Sequence, residues 1–272
     1  MKLKKSNAKS QIVLIILIIL VLIPVAYMFL IALTPNKDLF VTFIPRRLTL
    51  MNFLNVLINS QEMRYYLNSW IIGIGTAFLT VILASLSAYG LSRFSFKTRN
   101  LFIIFALITQ MLPMEVLAIS YFRIIEKLGL FNTLTALVLV DTTITVPFVI
   151  LMLKSIFDAI PKEIEEAAMI DGCSRFSSFF KIMLPLNWGG LFAAFIFSFL
   201  QAYSEFLYAL TFASDYRAQP MTIELSRFMG KYLVSWDRLT AMAALFSLPI
   251  LIIFWFTQRI FIKGLIAGAV KE

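Results

Sequence analysis

The sequence predicts an all-α integral membrane protein with six transmembrane helices, and three observations carry this prediction. Of the 272 residues, 60% are hydrophobic or aromatic, and the share stays near 60% when glycine is counted in place of tyrosine. Soluble domains have roughly 45 to 50%. Charged residues make up 14%, too few to cover a soluble particle with polar groups. Six apolar stretches approach or exceed the roughly 20 residues that a helix needs to cross a hydrocarbon core about 30 Å thick.

The six predicted helices fill nearly half of the chain, so we expect a single transmembrane domain over residues 1–272. They cover residues 12–33, 70–91, 101–122, 134–153, 191–212 and 239–257. The first stretch follows Lys2, Lys4, Lys5 and Lys9 and is longer than the apolar core of a signal peptide, which predicts an uncleaved anchor. With the N-terminus inside, 14 of the 24 Lys and Arg fall in inner segments. Both termini are therefore predicted to be cytoplasmic.

The residue types that are missing exclude most catalytic classes. The chain has no histidine and one cysteine, Cys173. This excludes Ser/His and Cys/His nucleophile pairs, most catalytic zinc sites and an internal disulfide. No glycine begins a phosphate-binding loop of the form GxxxxGK(S/T), so we expect no catalytic residue, metal or cofactor in this chain. We interpret the net charge of +9 as basic cytoplasmic loops, because no basic run or face of the kind that binds nucleic acid is present.

The second predicted helix carries two pairs of small residues four positions apart, Gly73 with Ala77 and Ala84 with Ala88. Such pairs let helix backbones approach closely inside a bundle. We interpret them as packing positions without a chemical role.

A loop of 37 residues, 154–190, separates the fourth and fifth predicted helices and is amphipathic and charged where a short connection would be enough. Pro161 fits the first turn of a helix, and the glutamates that follow favour the positive end of the helix dipole. Gly172 ends this helix, because glycine adopts the left-handed backbone at no steric cost. Ser174 is placed to cap a second, amphipathic helix that Pro185 stops.

The short helix of this loop has a face that a partner protein can approach. Ala167 and Ala168 carry almost no side chain, so the groove of a partner can close around the backbone there. Glu166 is placed to reach a cation on that partner. The alternative interpretation is a solvated helix with a face of small residues.

The spacing of residues in the loop matches a known motif. Glu166, Ala167 and Ala168 are followed after three residues by Gly172, and after nine more by Ile-Met-Leu-Pro at 182–185. This pattern resembles the EAA motif, E-A-A-x3-G-x9-I-x-L-P, of permease subunits of ABC importers that are fed by substrate-binding proteins.

Other segments extend this resemblance over nearly the whole chain. Ile170 and Asp171 before the glycine, and the C-terminal run 258–271, are similar to the carbohydrate branch of the family. Asn68-Ser69 and residues 89–96 are weaker likenesses. Tyr203 and Ser204 depart from the family, which often has Trp-Asn before the glutamate of the fifth helix.

The resemblance implies a type I ABC importer permease, most similar to the smaller permease of the maltose-type pair, in a bacterial or archaeal cell membrane. In that family the motif lies on a coupling helix that seats in a cleft of the ATPase subunit. The coupling residues it implies are Glu166, Ala167, Ala168, Asp171, Gly172, Ile182, Leu184 and Pro185. The implied partners are a second homologous permease, two ATPase subunits that hold ATP and magnesium, an extracytoplasmic substrate-binding protein, a carbohydrate and membrane lipid.

Three carboxylates, Glu115, Asp141 and Glu205, fall within predicted helices. An ionised Asp at the centre of a membrane helix costs at least about 2.5 kcal/mol, so each should face a polar cavity or a partner. Around Glu205, Ser198 and Tyr208 recur at helical spacing with Gln201 and predict one continuous polar stripe. The residues predicted to line a substrate pathway are Gln201, Tyr203, Glu205, Tyr208, Glu115 and Asp141.

Several alternatives stay open at this point. The carboxylates can instead form interhelical or intersubunit ion pairs, with Arg123 as a candidate partner. The solute of an ABC permease can be a non-sugar such as a polyamine or glycerol phosphate. An ion-coupled secondary transporter would use the carboxylates as coupling sites, but it usually has an inverted repeat, and none is visible in this sequence. A membrane-embedded enzyme would use them as general acid and base, without any further catalytic group.

Overall fold

The computed structural model describes residues 8–39, 45, 47–229 and 235–269, with side chains for 11–39, 45, 47–228 and 235–257. Within these residues the chain is helical and has no β-strand, which confirms the predicted all-α class. The helices are α1 (Ala8–Ala32), α2 (Met51–Ile58), α3 (Ser60–Arg93), α4 (Arg99–Thr109), α5 (Met114–Lys127), α6 (Leu134–Asp158), α7 (Lys162–Ile170), α8 (Arg175–Ser178), α9 (Leu184–Leu186), α10 (Trp188–Tyr203), α11 (Leu207–Phe212), α12 (Met221–Met229) and α13 (Trp236–Ala269). Lys2, Lys4 and Lys5 lie outside the described residues, as do the side chains of Lys9 and of 258–271.

The predicted spans correspond to four continuous helices and two bent pairs. By length and composition α1, α3, α6 and α13 can each cross a membrane. Two bent pairs are also long and apolar enough when each pair is taken as one span. One pair is α4 with α5, and the other is the segment from α8 to α9 with α10. Counting both pairs brings the number of spans to six.

The third predicted helix, 101–122, is interrupted in the structure. Helix α4 ends at Thr109, α5 begins at Met114, and the two helices are bent by 104°. Pro113 has no N–H to donate and has an extended backbone with ψ 134°. A proline also disfavours the helical conformation of the residue before it, so the helix cannot continue through this point.

The fifth predicted helix, 191–212, is also interrupted, and the predicted continuous polar stripe around Glu205 is therefore wrong. Helix α10 ends at Tyr203, and α11 begins only at Leu207. Before α10, a π-helical turn over Phe179–Met183 joins α8 to α9. Pro185 lies inside α9, and the predicted stop is displaced to Asn187, after which the chain bends by 79° into α10.

By internal packing the chain divides into two units, Met1–Met63 with Leu225–Pro249, and Arg64–Glu224 with Ile250–Glu272. In the first unit the apolar side chains of 12–23 on α1 are each at least 48% exposed. The side-chain amide of Asn52 on α2 donates to the carbonyls of Ala32 and Thr34, both at 2.9 Å. The first unit thus ties down the end of α1 and leaves most of its apolar surface uncovered.

The second unit contains two apolar cores along α3, α6 and α10. One core surrounds Leu137 and Phe212, and the other surrounds Leu153 and Phe179. A Cβ added at Gly73 would lie 2.9 Å from the ring of Phe199 on α10. Ala77, Ala84 and Ala88 are fully buried, which confirms that these small residues are packing positions.

Candidate functional site

The loop between α6 and α10 contains the short helix that the sequence predicts. Helix α7 has Pro161 at its N-cap and is followed by Gly172, whose φ is +87°. The N–H of Gly172 donates to the carbonyl of Met169 at 3.1 Å, and the N–H of Cys173 donates to that of Ala168 at 3.0 Å. These two bonds form a Schellman motif, which needs the left-handed backbone. The predicted end of the helix at Gly172 is confirmed.

The predicted cap at Ser174 is also present. Its side-chain oxygen accepts a hydrogen bond from the N–H of Ser177 at 3.1 Å. Of the aromatic residues that follow, Phe179 is buried whereas Phe176 is 70% exposed. The amphipathic helix after the turn therefore buries one aromatic side chain and leaves another at the surface.

The motif residues divide into an exposed and an inward-facing group. The exposed group consists of Glu166, Ala167, Asp171, Gly172 and Pro185. The inward-facing group consists of Ala168, which is buried, and Ile182 and Leu184, which are half-buried. Beside the exposed group, Ile170 is 87% exposed. We call Glu166, Ala167, Ile170, Asp171 and Gly172 the loop surface.

A buried ion pair holds the other side of α7. Glu165 is 6% exposed, and one of its carboxylate oxygens pairs with the guanidinium of Arg93 at the end of α3. The hydroxyl of Tyr89 donates to the second oxygen at 3.0 Å. Arg93 also donates to the carbonyl of Ile160 at 3.1 Å. Both oxygens of Glu165 thus have partners on α3, and we call Tyr89, Arg93 and Glu165 the loop network.

A second carboxylate extends the network to the end of α6. The hydroxyl of Ser92 donates to Asp158 at 2.6 Å, and Lys154 forms an ion pair with the other oxygen of Asp158. The guanidinium of Arg93 donates to the hydroxyl of Ser92 at 3.2 Å. The ends of α3, α6 and α7 are therefore joined by charge-assisted hydrogen bonds, which are stronger than neutral ones.

The opposite part of α3 holds a different segment. Asn68 is fully buried, and its side-chain amide donates to the carbonyls of Arg217 at 3.0 Å and Gln219 at 2.8 Å. The hydroxyl of Ser69 accepts from the N–H of Met221 at 2.9 Å. Asn68 and Ser69 thus fix the connection that leads into α12.

A cleft of about 310 Å³, lined by both polar and apolar residues, lies between α6 and the break after α10. Its polar lining consists of Asp141, Thr145, Gln201, Ser204 and Glu205. Asp141 is 3% exposed, and its Oδ1 atom accepts no hydrogen bond from any residue that the structure describes. A buried carboxylate oxygen without a partner is unfavourable in the chain alone, so Asp141 is the uncompensated group of the cleft.

Glu205 has a structural partner that Asp141 lacks. Its two carboxylate oxygens accept hydrogen bonds from the N–H groups of Tyr208, at 2.7 Å, and Ala209, at 3.0 Å, in the first turn of α11. Its own carbonyl accepts from the hydroxyl of Thr222 at 2.9 Å. Glu205 therefore caps α11, where a negative charge is favoured by the helix dipole.

The structure brings only some of the predicted pathway residues together. Gln201, Glu205 and Asp141 line the cleft. Tyr203 is fully buried with its ring 5.1 Å from that of Phe199. Tyr208 is fully buried and donates to the carbonyl of Met114 at 3.2 Å. Glu115 is exposed on the first turn of α5 and is not part of the cleft lining.

The alternative that Arg123 neutralises one of these carboxylates has no support within this chain. Arg123 is exposed, and no ion pair joins it to an acidic group in the part of the chain that the structure describes. An ion pair with a second subunit remains compatible with its position.

A family described as the binding-protein-dependent transport system inner membrane component matches residues 80–266 of this chain. The chain belongs to this family. The matched range begins within α3 and includes the loop network, the loop surface and the cleft. These features are therefore parts of a permease.

The permease is similar to proteins that serve different solutes. It is 31% identical to the sulfoquinovosyl glycerol transport system permease protein SmoH of Agrobacterium fabrum, over 92% of this chain and 89% of that protein. It is 37% identical to the trehalose/maltose transport system permease protein MalG of Thermococcus litoralis, over 82% of this chain and 81% of that protein. These relatives confirm the resemblance to permeases of sugar importers.

One solved structure confirms the predicted permease fold. It is the crystal structure of a bacterial ABC transporter involved in the import of the acidic polysaccharide alginate. The similarity has a TM-score of 0.82 at 17% identity and covers 95% of this permease and 99% of that chain.

The sequence analysis did not identify the loop network, which attaches α7 to α3. The sequence predicts a partner contact for Glu166, which is exposed, whereas the neighbouring Glu165 carries the buried ion pair. The weaker family likenesses at Asn68-Ser69 and at 89–96 were the available signal, because they contain Asn68, Tyr89 and Arg93. Without the fold these likenesses had no physical explanation.

Proposed function

We propose that this permease is one of two transmembrane subunits of an ABC importer for a sugar or an oligosaccharide. The names of its relatives support this substrate class, since sulfoquinovosyl glycerol, trehalose and maltose are all glycosides. The cleft supports it as well, because a carboxylate, an amide and hydroxyl groups offer the hydrogen-bonding groups that sugar hydroxyls need. Gln201, Asp141 and Glu205 line the substrate pathway in this proposal, and Tyr203 and Tyr208 support it by packing.

The observation that carries the proposal is the contrast between the two sides of α7. The loop surface is exposed and includes Ile170, an apolar residue that is 87% exposed. The opposite side is bound to α3 by a buried ion pair. A helix that is tightly held on one side and open on the other is suited to receive a partner and to transmit its movement. In this proposal the partner is the ATPase subunit, and it hydrolyses ATP with magnesium.

Helix α3 is the element that transmits the movement. Asn68 and Arg93 are 25 residues apart on one helix, which corresponds to about 38 Å and exceeds the hydrocarbon thickness of about 30 Å. At one end α3 binds α7 through Arg93, and at the other it binds the segment before α12 through Asn68. A displacement of α7 therefore reaches the opposite side of the membrane without passing through a flexible connection. Reversing a 1:99 equilibrium between inward-open and outward-open states takes about 5.5 kcal/mol of differential binding.

The orientation in this proposal places α7 and both termini in the cytoplasm. The distribution of Lys and Arg in the sequence supports it. An extracytoplasmic substrate-binding protein would then deliver the sugar from the opposite side. The apolar surface of α1 that its own unit leaves uncovered is compatible with pairing with a second permease.

The test is to alter the loop surface in the assembled importer. Ala167→Trp adds a large side chain at an exposed position, so it should leave the fold intact and block the docking of the ATPase. Gly172→Val places a β-branched residue at φ +87°. This backbone conformation is favourable for glycine and, to a lesser extent, for asparagine. We expect both variants to lose sugar uptake and the ATPase stimulation that depends on the binding protein, while the permease still inserts into the membrane.

Two matched variants serve as controls. Gly172→Asn retains access to the left-handed backbone and should keep much of the uptake. Glu126→Trp introduces the same side chain at an exposed position on α5 and should transport normally. Normal uptake by Ala167→Trp would contradict the proposal, and so would uptake that collapses with an ionophore but survives loss of the ATPase.

A further inference from the structure

The connection between α3 and α4, together with the first turn of α4, contains two basic residues and no acidic residue. The first turn of α4 contains no acidic residue, and its N-cap, Thr98, forms no side-chain capping bond. Instead Arg99 is the first residue of the helix, and Lys97 lies just before it. A helix N-terminus already carries a partial positive charge and favours an anion. Here two cations are added to that positive end.

These residues form a polar cup of about 410 Å³. It is lined by Ser95, Phe96, Lys97, Arg99 and Asn100. The Nε atom of Arg99 is buried and donates no hydrogen bond to any residue within the described ranges. Asp158 interacts electrostatically with Arg99, but its oxygens are already bound by Ser92 and Lys154. The cup therefore holds a cation with an unused donor.

An apolar groove of about 420 Å³ shares the lining residue Phe96 with the cup. The groove lies between α3, α4 and α6, and its lining includes Leu91, Phe102, Phe105 and Ile150. Phe102 is 58% exposed and Phe105 is 64% exposed, so the groove opens on the surface of this unit. A Cβ added at Gly90, which also lines the groove, would meet no atom within 4 Å.

The length of the groove distinguishes between possible occupants. Helix α4 has 11 residues, which corresponds to about 16 Å, close to half of a hydrocarbon core about 30 Å thick. A transmembrane helix of another subunit needs the full thickness. An acyl chain occupies a single leaflet, and its headgroup would lie at the end of the groove where the basic cup is.

We propose that the cup and the groove together bind one anionic phospholipid, with its phosphate in the cup and an acyl chain against α4. The cup supplies Lys97, Arg99 and the N-terminus of α4 to the phosphate, and the groove supplies apolar surface to the chain. This site is separate from the cleft and from the loop surface, and its occupation does not depend on which solute the importer carries. Because Arg99 starts α4 and Arg93 ends α3, a bound lipid would also brace the connection beside the loop network.

The test compares lipids on the purified, assembled importer. We expect dioleoylphosphatidylglycerol to bind more tightly than dioleoylphosphatidylcholine in native mass spectrometry. The combined variant Lys97→Ala with Arg99→Gln should reduce phosphatidylglycerol binding by about 30-fold, because each cation near an anionic lipid contributes a factor of roughly five. The variant Lys127→Ala removes an exposed cation from α5 and should bind phosphatidylglycerol as the wild type does.

A second variant tests the groove without touching the charges. Gly90→Leu fills the groove with a side chain that finds open space, so the fold should be kept and the binding of phosphatidylglycerol should fall. The proposal would be overturned if the wild type, the combined variant Lys97→Ala with Arg99→Gln and the variant Gly90→Leu all bound phosphatidylglycerol equally. Equal affinities for inorganic phosphate and for phosphatidylglycerol would also overturn it, because the groove would then contribute nothing. A photo-crosslinker placed at Phe105 should label lipid, and labelling of a second polypeptide instead would overturn the assignment of the occupant.

Discussion

Two buried carboxylates of this permease have similar exposure and opposite surroundings. Glu165 behind the loop surface is 6% exposed and Asp141 in the cleft is 3% exposed. Both oxygens of Glu165 have partners on α3, whereas the Oδ1 atom of Asp141 has none among the described residues. Removing a charge from water is expensive unless it is paired. Glu165 is thus paired within the chain, whereas we propose that the carboxyl group of Asp141 is available to a group from outside the chain.

The largest effect is expected from leaving Glu165 without its cation. Arg93→Met should destabilise the attachment of α7 by about 3 to 5 kcal/mol, since breaking a buried pair leaves an uncompensated charge. Hydrogen exchange of the α7 amides in the purified importer measures this loss. Arg93→Met combined with Glu165→Leu should recover most of the stability, because no buried charge remains. Equal losses in the single and double variants would show that the two residues are not coupled.

A smaller effect is expected from the hydroxyl of Tyr89. Tyr89→Phe removes one donor to the Glu165 carboxylate, and a hydrogen bond to a charged group contributes about 1.5 to 3 kcal/mol. The same hydrogen-exchange measurement on α7 should detect it. Tyr66→Phe serves as the control, since Tyr66 lies on α3 outside the loop network. If Tyr89→Phe leaves α7 as protected as in the wild type, Arg93 alone holds the carboxylate.

Removing the cap at Glu205 should reduce stability by less than removing the hydroxyl of Tyr89. Glu205→Ala should destabilise the first turn of α11 by about 1 kcal/mol, the usual value for a lost helix cap. Exchange of the amide hydrogens of Tyr208 and Ala209 reports this directly. Glu205→Gln keeps an acceptor oxygen and should lose less protection than Glu205→Ala. An unchanged exchange rate at both amides in Glu205→Ala would exclude a capping role.

The smallest effect on stability, with a separate effect on transport, is expected at Asp141. Asp141→Asn replaces a buried carboxyl group whose Oδ1 atom has no partner among the described residues, so the midpoint of unfolding of the importer should stay the same or rise. Sugar uptake should change, since the residue lines the cleft. Ser204→Ala, at an exposed position of the same cleft, is the control for altering the cleft without altering a carboxyl group. A loss of stability above about 1 kcal/mol in Asp141→Asn would place its partner in the second permease.

The features that could be predicted from the sequence are those that depend on neighbouring residues. The end of α7 at Gly172 and the cap at Ser174 depend on hydrogen bonds between residues at most five positions apart. Composition and the length of apolar stretches were enough for the helical membrane class. The interruptions of the third and fifth predicted helices were not predicted. Hydropathy reports only the polarity of a segment, and it contains no information on the backbone conformation of Pro113 or on the capping of α11 by Glu205.

Hydropathy, helix caps and one spaced motif therefore specified the class, the family likeness and the short helix of the loop, since each depends on residues that are close together in the chain. The pairing of Glu165 with Arg93, the hold of Asn68 on the segment before α12 and the isolation of Asp141 required the folded molecule. Arg93 and Glu165 are 72 positions apart, and Asn68 and Gln219 are 151 apart. Packing of the helices brings such residues together. It also determines that Glu165 is buried whereas the adjacent Glu166 is exposed.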